Sequence, residues 1–176
     1  MVAPCMEQGL RLRWTGTRLS EPFVHMTLRM LVHFGVSPVT ESDGLYVPPG
    51  GHVPAPLTVP PDWSAAAFWY ELVAVSPGAE VLLEGLGDDG LQGDREASRL
   101  WSPWVGTTFM DEGAGLGSPV TMDPRARVPG RYLDLKHVPD LFQPLAFTFA
   151  ALGQGVEFVG VQNLAVKETD RLQAVH

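Results

Sequence analysis

The densest set of reactive side chains is the run Lys167-Glu168-Thr169-Asp170-Arg171. A helix through it places Lys167 and Arg171 one turn apart on a shared face. At a helix start these cations add to the free backbone N–H groups and make a site for an anion. The same run also fits a solvated helix start with mixed charge pairs. Glu168, beside two cations, stays ionised unless buried, so it could carry a proton only inside a pocket. Asp140 follows Lys136 and His137 and precedes an apolar stretch, where a partly buried carboxylate could act as general acid or base. A Pro-Asp pair before a helix is more commonly a cap, because Asp accepts from free N–H groups while Pro fixes the approach. Ser20 presents a similar choice, a helix N-cap or a phosphate contact.

Other chemistries find little support. His25, His33, His52, His137 and His176 never fall at metal-ligand spacing, and Cys5 has no second cysteine. No Walker-type loop occurs, and Gly85-Leu86-Gly87 lacks the third glycine of a dinucleotide fingerprint. Trp101 and Trp104 suit packing better than a stacking platform. The residues therefore give no cofactor or metal signature.

Elements that could position the polar clusters recur along the chain. Leu10-Arg11-Leu12-Arg13-Trp14 alternates like a strand, reaches Gly16, and leads through Ser20 into a helix over Pro22–Phe34 that Gly35 stops. Val81-Leu82-Leu83-Glu84 reaches Gly85 and then a helix from Asp94. Val156-Glu157-Phe158-Val159 reaches Gly160 and then the charged run. The three glycines lie about 70 residues apart, a period that marks repeated supersecondary units. A second repeat pairs Pro61-Asp62 before a helix over 64–75 with Pro139-Asp140 before a helix over 141–152. Val36–Thr40 and Leu45–Val47 around Asp43-Gly44 predict a β-hairpin. Residues 48–61, with six prolines and two glycines, suit a domain crossover. Residues 111–130 read as loop, with a strand over Tyr132–Leu135. The expectation is an α/β (α+β) fold of βαβ-type units with mixed sheets, one face covered by helices.

The 176 residues suffice for a real core, and 45% apolar with 18% charged residues excludes a disordered chain. A net charge of -8 argues against a nucleic-acid surface, although a pocket for small anions needs only a few local cations. No apolar run approaches the roughly 20 residues needed to span a bilayer, and the start Met1-Val2-Ala3-Pro4-Cys5 lacks the basic-then-apolar layout of a secretory signal. One cysteine fits a reducing cytoplasm. The chain begins just before a strand and ends inside an expected helix, as a fragment would.

Five motifs together resemble the 5-enolpyruvylshikimate-3-phosphate synthases: Ser20-Glu21-Pro22-Phe23, Asp62-Trp63-Ser64-Ala65-Ala66, Leu91-Gln92-Gly93-Asp94, Val138-Pro139-Asp140 and Lys167-Glu168-Thr169-Asp170-Arg171-Leu172. They occur in the family's order over nearly the whole chain. The resemblance implies two domains of repeated βαβαββ units, with 1–55 the last part of one and 56–176 the first part of the other. It implies transfer of the enolpyruvyl group of phosphoenolpyruvate to the 5-hydroxyl of shikimate 3-phosphate, with release of phosphate and no cofactor. Asp140 would contact the shikimate hydroxyls and help with the 5-hydroxyl proton, assisted by Lys167. Glu168 would move a proton at the phosphoenolpyruvate methylene, and Arg171 would bind its carboxylate. Ser20 and Asn163 would contact shikimate 3-phosphate. The family's tyrosine is Phe23 here, which removes a hydroxyl contact. The family's N-terminal lysine, glycine-rich loop, serine-serine-glutamine motif and later histidine-arginine pair and lysine have no counterpart. The isolated chain is therefore expected to turn over little or not at all, with complementary segments of the enzyme as its partners besides the two substrates. The alternatives are a non-catalytic remnant binding shikimate 3-phosphate through Ser20, Asp140, Asn163 and Lys167, or a relative acting on UDP-N-acetylglucosamine.

Overall fold

The computed structural model describes residues 1–88, 90–119 and 132–175, which fall into two units, Met1–Val59 and Pro60–His176. In the first, β1 (Leu10–Arg13) is followed by Gly16, helix α1 (Glu21–His33) and the hairpin β2 (Val39–Glu41) and β3 (Gly44–Val47). The sheet is antiparallel with order β1-β3-β2. Val24, Leu28 and Leu31, at helical spacing, turn one face of α1 onto Leu45 and Val47 of the central strand. Gly35 (φ +77°) ends the helix as expected: its N–H donates to Val32 O and the Val36 N–H to Leu31 O, the paired bonds of a glycine-stopped helix.

The second unit repeats this plan. β4 (Glu80–Glu84) reaches Gly85 (φ +71°) and a 3-10 turn (Gly93–Glu96) running into the short helix α3 (Ala97–Leu100). A hairpin of β5 (Gly106–Met110) and β6 (Gly113–Gly117) then completes an antiparallel sheet of order β4-β6-β5. The loop expected over 111–130 is thus corrected at its start: 113–117 is the central strand, while 120–130 lies outside the described residues. Three glycines hid it, since glycine weakens a strand unless the backbone needs it. Here it does. A Cβ on Gly113 would stand 2.2 Å from the Leu83 carbonyl oxygen, as one on Gly44 would stand 2.0 Å from that of Leu12. A third strand–glycine pair, β8 (Glu157–Val159) and Gly160 (φ +74°), lies parallel to β7 (Tyr132–Asp134). Among the described residues antiparallel and parallel pairing are thus kept in separate sheets, where mixed sheets were expected.

Helices α2 (Trp63–Ala74) and α4 (Phe142–Ala151) pack against each other within the second unit. Asp62 caps α2, its Oδ1 accepting from the Ser64 N–H at 2.9 Å. Trp63, Tyr70 and Trp101 pack ring to ring at 6.3 and 5.9 Å in a fully buried core that also takes Trp104, Leu141 and Leu145. The indole N–H of Trp101 donates to Thr148 Oγ1 at 3.0 Å, and that hydroxyl donates to Pro144 O at 2.7 Å. The expected packing role of Trp101 and Trp104 matches their burial. No helix among the described residues is long and apolar enough to cross a membrane.

Candidate active site

Asp140 does not cap. It lies inside a 3-10 turn (Pro139–Leu141) leading into α4, and makes no capping bond. Its Oδ1 instead accepts from Arg171 Nη1 at 2.6 Å and from Lys167 Nζ at 3.3 Å. Arg171 Nη2 donates to Glu168 Oε1. The guanidinium thus bridges two carboxylates, and one Asp140 oxygen is shared by two cations. The cationic neighbours expected of Asp140 were Lys136 and His137; they come instead from residues 27 and 31 positions along the chain.

Lys167 and Arg171 do not share a helix face. Lys167 is extended (φ -72°, ψ -174°), just past a 3-10 turn over Leu164–Val166, and α5 (Arg171–Val175) starts four residues later. Asp170 explains this: its Oδ1 accepts from the N–H groups of both Leu172 and Gln173, which sets the helix start there. The free N–H groups expected to help an anion site are therefore partly taken by Asp170. What brings the two cations together is Asp140.

Burial grades the cluster. The Arg171 side chain is 15% exposed, Asp140 21%, Lys167 29% and Glu168 67%. Burial alone would lower the Arg171 pKa, but its bonds to Glu168 and Asp140 outweigh that and raise it. The bond from Arg171 holds the Glu168 carboxyl below its usual range, so Glu168 is ionised, as its neighbours suggested.

Asp94, expected at a helix start and quoted in a family motif but given no role, belongs to the same neighbourhood. It is buried, 1% exposed, and Ser64 Oγ donates to its Oδ2; its Oδ1 has no hydrogen-bond partner among the described residues. Burial pushes its pKa from 3.8 to about 6, the Ser64 bond opposes that, the charges of Asp140 and Asp62 add to it and that of Lys167 lowers it. Gln92 fixes this corner, accepting from the Trp63 N–H at 2.8 Å and donating to Pro61 O at 2.7 Å. The polar Gln92-Gly93-Asp94 step before the buried Ala97, Leu100 and Trp101 was the available signal.

The remaining candidates sit as follows. Asn163 is half-buried at the entry to the Leu164–Val166 turn and makes no capping bond. Ser20 and Phe23 belong to the first unit. Ser20 holds the N-cap position of α1 without a side-chain capping bond, correcting the expected cap. At φ 54° it is the one non-glycine residue with positive φ among the described residues. Such a conformation costs energy and clusters at functional sites. Half-buried Phe23 donates its N–H to Ser20 O, and its carbonyl accepts from Thr27 Oγ1. The cluster as a whole offers two cations, each already bonded to carboxylate, that an incoming anion could take over, with an ionised carboxylate at the rim to accept a proton.

The family model for EPSP synthase (3-phosphoshikimate 1-carboxyvinyltransferase) matches residues 1–176. A 3-phosphoshikimate 1-carboxyvinyltransferase of Bacteroides fragilis is 36% identical over 177 residues, covering 99% of this chain and 42% of the relative. One from Neisseria meningitidis serogroup B is 30% identical, covering 99% and 40%. The chain therefore spans about two fifths of the length of the curated relatives it matches. A solved EPSP synthase of Acinetobacter baumannii superposes with a TM-score of 0.57 at 24% identity, over 85% of this chain and 35% of that one, a likeness of fold. With the motif order and the convergence on Asp140, these matches place the chain in the EPSP synthase family.

Proposed function

We propose that this chain supplies part of the catalytic centre for transfer of the enolpyruvyl group of phosphoenolpyruvate to the 5-hydroxyl of shikimate 3-phosphate. The observation that carries the reading is the shared Asp140 oxygen between Lys167 and Arg171. In the reaction the 5-hydroxyl oxygen forms a bond to C2 of phosphoenolpyruvate, and phosphate leaves. Two polyanions must meet, so cations are required; protons must leave the hydroxyl and pass through the methylene, so carboxylates are required. Asp140, positioned by Lys167, receives the hydroxyl proton. Arg171 exchanges a protein carboxylate for that of phosphoenolpyruvate, which frees Glu168 to work at the methylene. Asn163 of the second unit, and separately Ser20 and Phe23 of the first, are carried over from the family's motifs as contacts to shikimate 3-phosphate, with Phe23 lacking the family's hydroxyl.

In this reading the first unit is the last part of one transferase domain and the second unit the first part of the other. The crossover falls in the proline-rich stretch, at 55/56 on the sequence reading. Turnover needs the rest of the family's length, since this chain spans only two fifths of it. The lone cysteine fits a cytoplasmic setting. The test is phosphate release from both substrates, by the chain alone and after co-expression with the complementary segments of a relative. The expected result is negligible release alone and recovery on complementation, abolished by Asp140→Ala. Turnover by the chain alone, or full recovery with Asp140→Ala, would overturn the proposal.

A further inference from the structure

The proline-rich stretch is not uniformly loose. Within the first unit, the Gly50 and Gly51 N–H groups both donate to Pro4 O, at 3.1 and 3.0 Å. The Val53 N–H donates to Phe34 O at 2.9 Å, just past the end of α1. Two imidazoles add to this: His52 Nε2 lies 2.8 Å from Met1 O, and His33 Nε2 lies 2.8 Å from Pro56 O. A carbonyl oxygen only accepts, so each imidazole carries a proton on Nε2. The ring of Phe34 sits edge-on to both, at 5.0 and 6.1 Å. Gly35 leaves room for this path, because a Cβ there would stand 2.9 Å from the Val53 side chain.

The far end is fixed as well. Pro61 O accepts from Gln92 Nε2, and Asp62 caps α2, both inside the second unit. Between the two anchorages, Leu57, Thr58, Val59 and Pro60 make no hydrogen bond among the described residues. Leu57 is 45% exposed and Val59 79%. Proline further narrows the freedom: Pro60 fixes its own φ and holds Val59 extended, and Pro61 does the same to Pro60. The soft torsions left are those of Leu57 and Thr58.

We infer that His33 and His52 clasp residues 50–56 to the first unit and so confine the joint between the two units to Leu57–Pro60. The segment is then a short hinge with a fixed exit rather than a twelve-residue tether running over 48–59. The inference is independent of the cluster's chemistry.

The test is a backbone ¹⁵N relaxation and amide-exchange map of the full chain. Leu57, Thr58 and Val59 should show low heteronuclear NOEs, while Val53 and Ala55 match the helices. In His33→Ala the mobile window should extend back to Ala55, with Val53 exchange faster by about five- to tenfold. His33→Gln, which keeps a donor, should restore most of the protection. A wild-type map in which residues 50–56 are as mobile as 57–59 would overturn the inference without any variant. So would His33→Ala leaving Val53 and Ala55 unchanged.

Discussion

Asp94→Asn should stabilise the chain at neutral pH and not in acid. In the folded state the Asp94 pKa is raised from 3.8 to about 6, chiefly by burial, so the fold prefers the protonated carboxyl. Below pH 3.8 both folded and unfolded chains hold the proton and the group costs nothing. Between pH 3.8 and 6 the unfolded chain ionises first, and stability falls as pH rises. Above pH 6 the loss is complete. A shift of about two units corresponds to roughly 3 kcal/mol. Asparagine is nearly isosteric, keeps an oxygen for the Ser64 hydroxyl, and does not titrate. The difference in unfolding free energy between variant and wild type should therefore grow by about 2–2.5 kcal/mol from pH 4, where the unfolded carboxyl is already more than half ionised, to pH 7. Urea denaturation followed by tryptophan fluorescence reads it, since four of the five tryptophans lie in the second unit. Carboxylates that do not feel the Asp94 charge titrate alike in both proteins and cancel, leaving only a smaller contribution from Asp62 and Asp140. A difference constant within about 0.5 kcal/mol across that range would refute the reasoning.

Further outcomes follow from single contacts. Asp140→Ala leaves Lys167 and Arg171 without their shared acceptor and should cost about 1–2 kcal/mol in urea, more than Glu168→Ala at the exposed rim. Thr148→Val removes the acceptor of the buried Trp101 N–H and should cost about 1–3 kcal/mol, with a changed near-ultraviolet dichroism. Gly113→Ala drives a methyl into the Leu83 carbonyl and should lower thermal stability by at least about 2 kcal/mol, whereas Gly117→Ala, with open space around it, should be close to neutral. Phe23→Tyr restores the family's hydroxyl and should tighten shikimate 3-phosphate binding several-fold by calorimetry; unchanged affinity would remove Phe23 from the proposed site.

What was legible in the sequence was local. The end of α1 at Gly35 and the cap at Asp62 depend on a few neighbouring residues, and sequence reading placed them correctly. The strand β6 was hidden because Gly-Ala-Gly-Leu-Gly carries almost no strand propensity. Its position was nonetheless present in the repeat, since Gly113 follows Gly85 at the same interval, 28 residues, that separates Gly44 from Gly16. The two Pro-Asp pairs show where local reading stops. Asp62 caps, while Asp140 is drawn to cations 27 and 31 residues away, which no local pattern records. Likewise Asp170 outcompetes Lys167 for the helix start, and only the carboxylate's capping bonds distinguish the two. Asp94 stayed invisible as a site member because its role comes from burial, a tertiary property.

In the proposed function the cations gathered on Asp140 hold the substrates' negative charge. The most direct measurement is a calorimetric titration of the full chain with phosphoenolpyruvate and with shikimate 3-phosphate, in wild type, Lys167→Met and Arg171→Met, each checked for fold by circular dichroism. Measurable binding by the wild type is expected, weakened at least tenfold in the variants and falling with added salt. Equal affinity in all three folded proteins would contradict it.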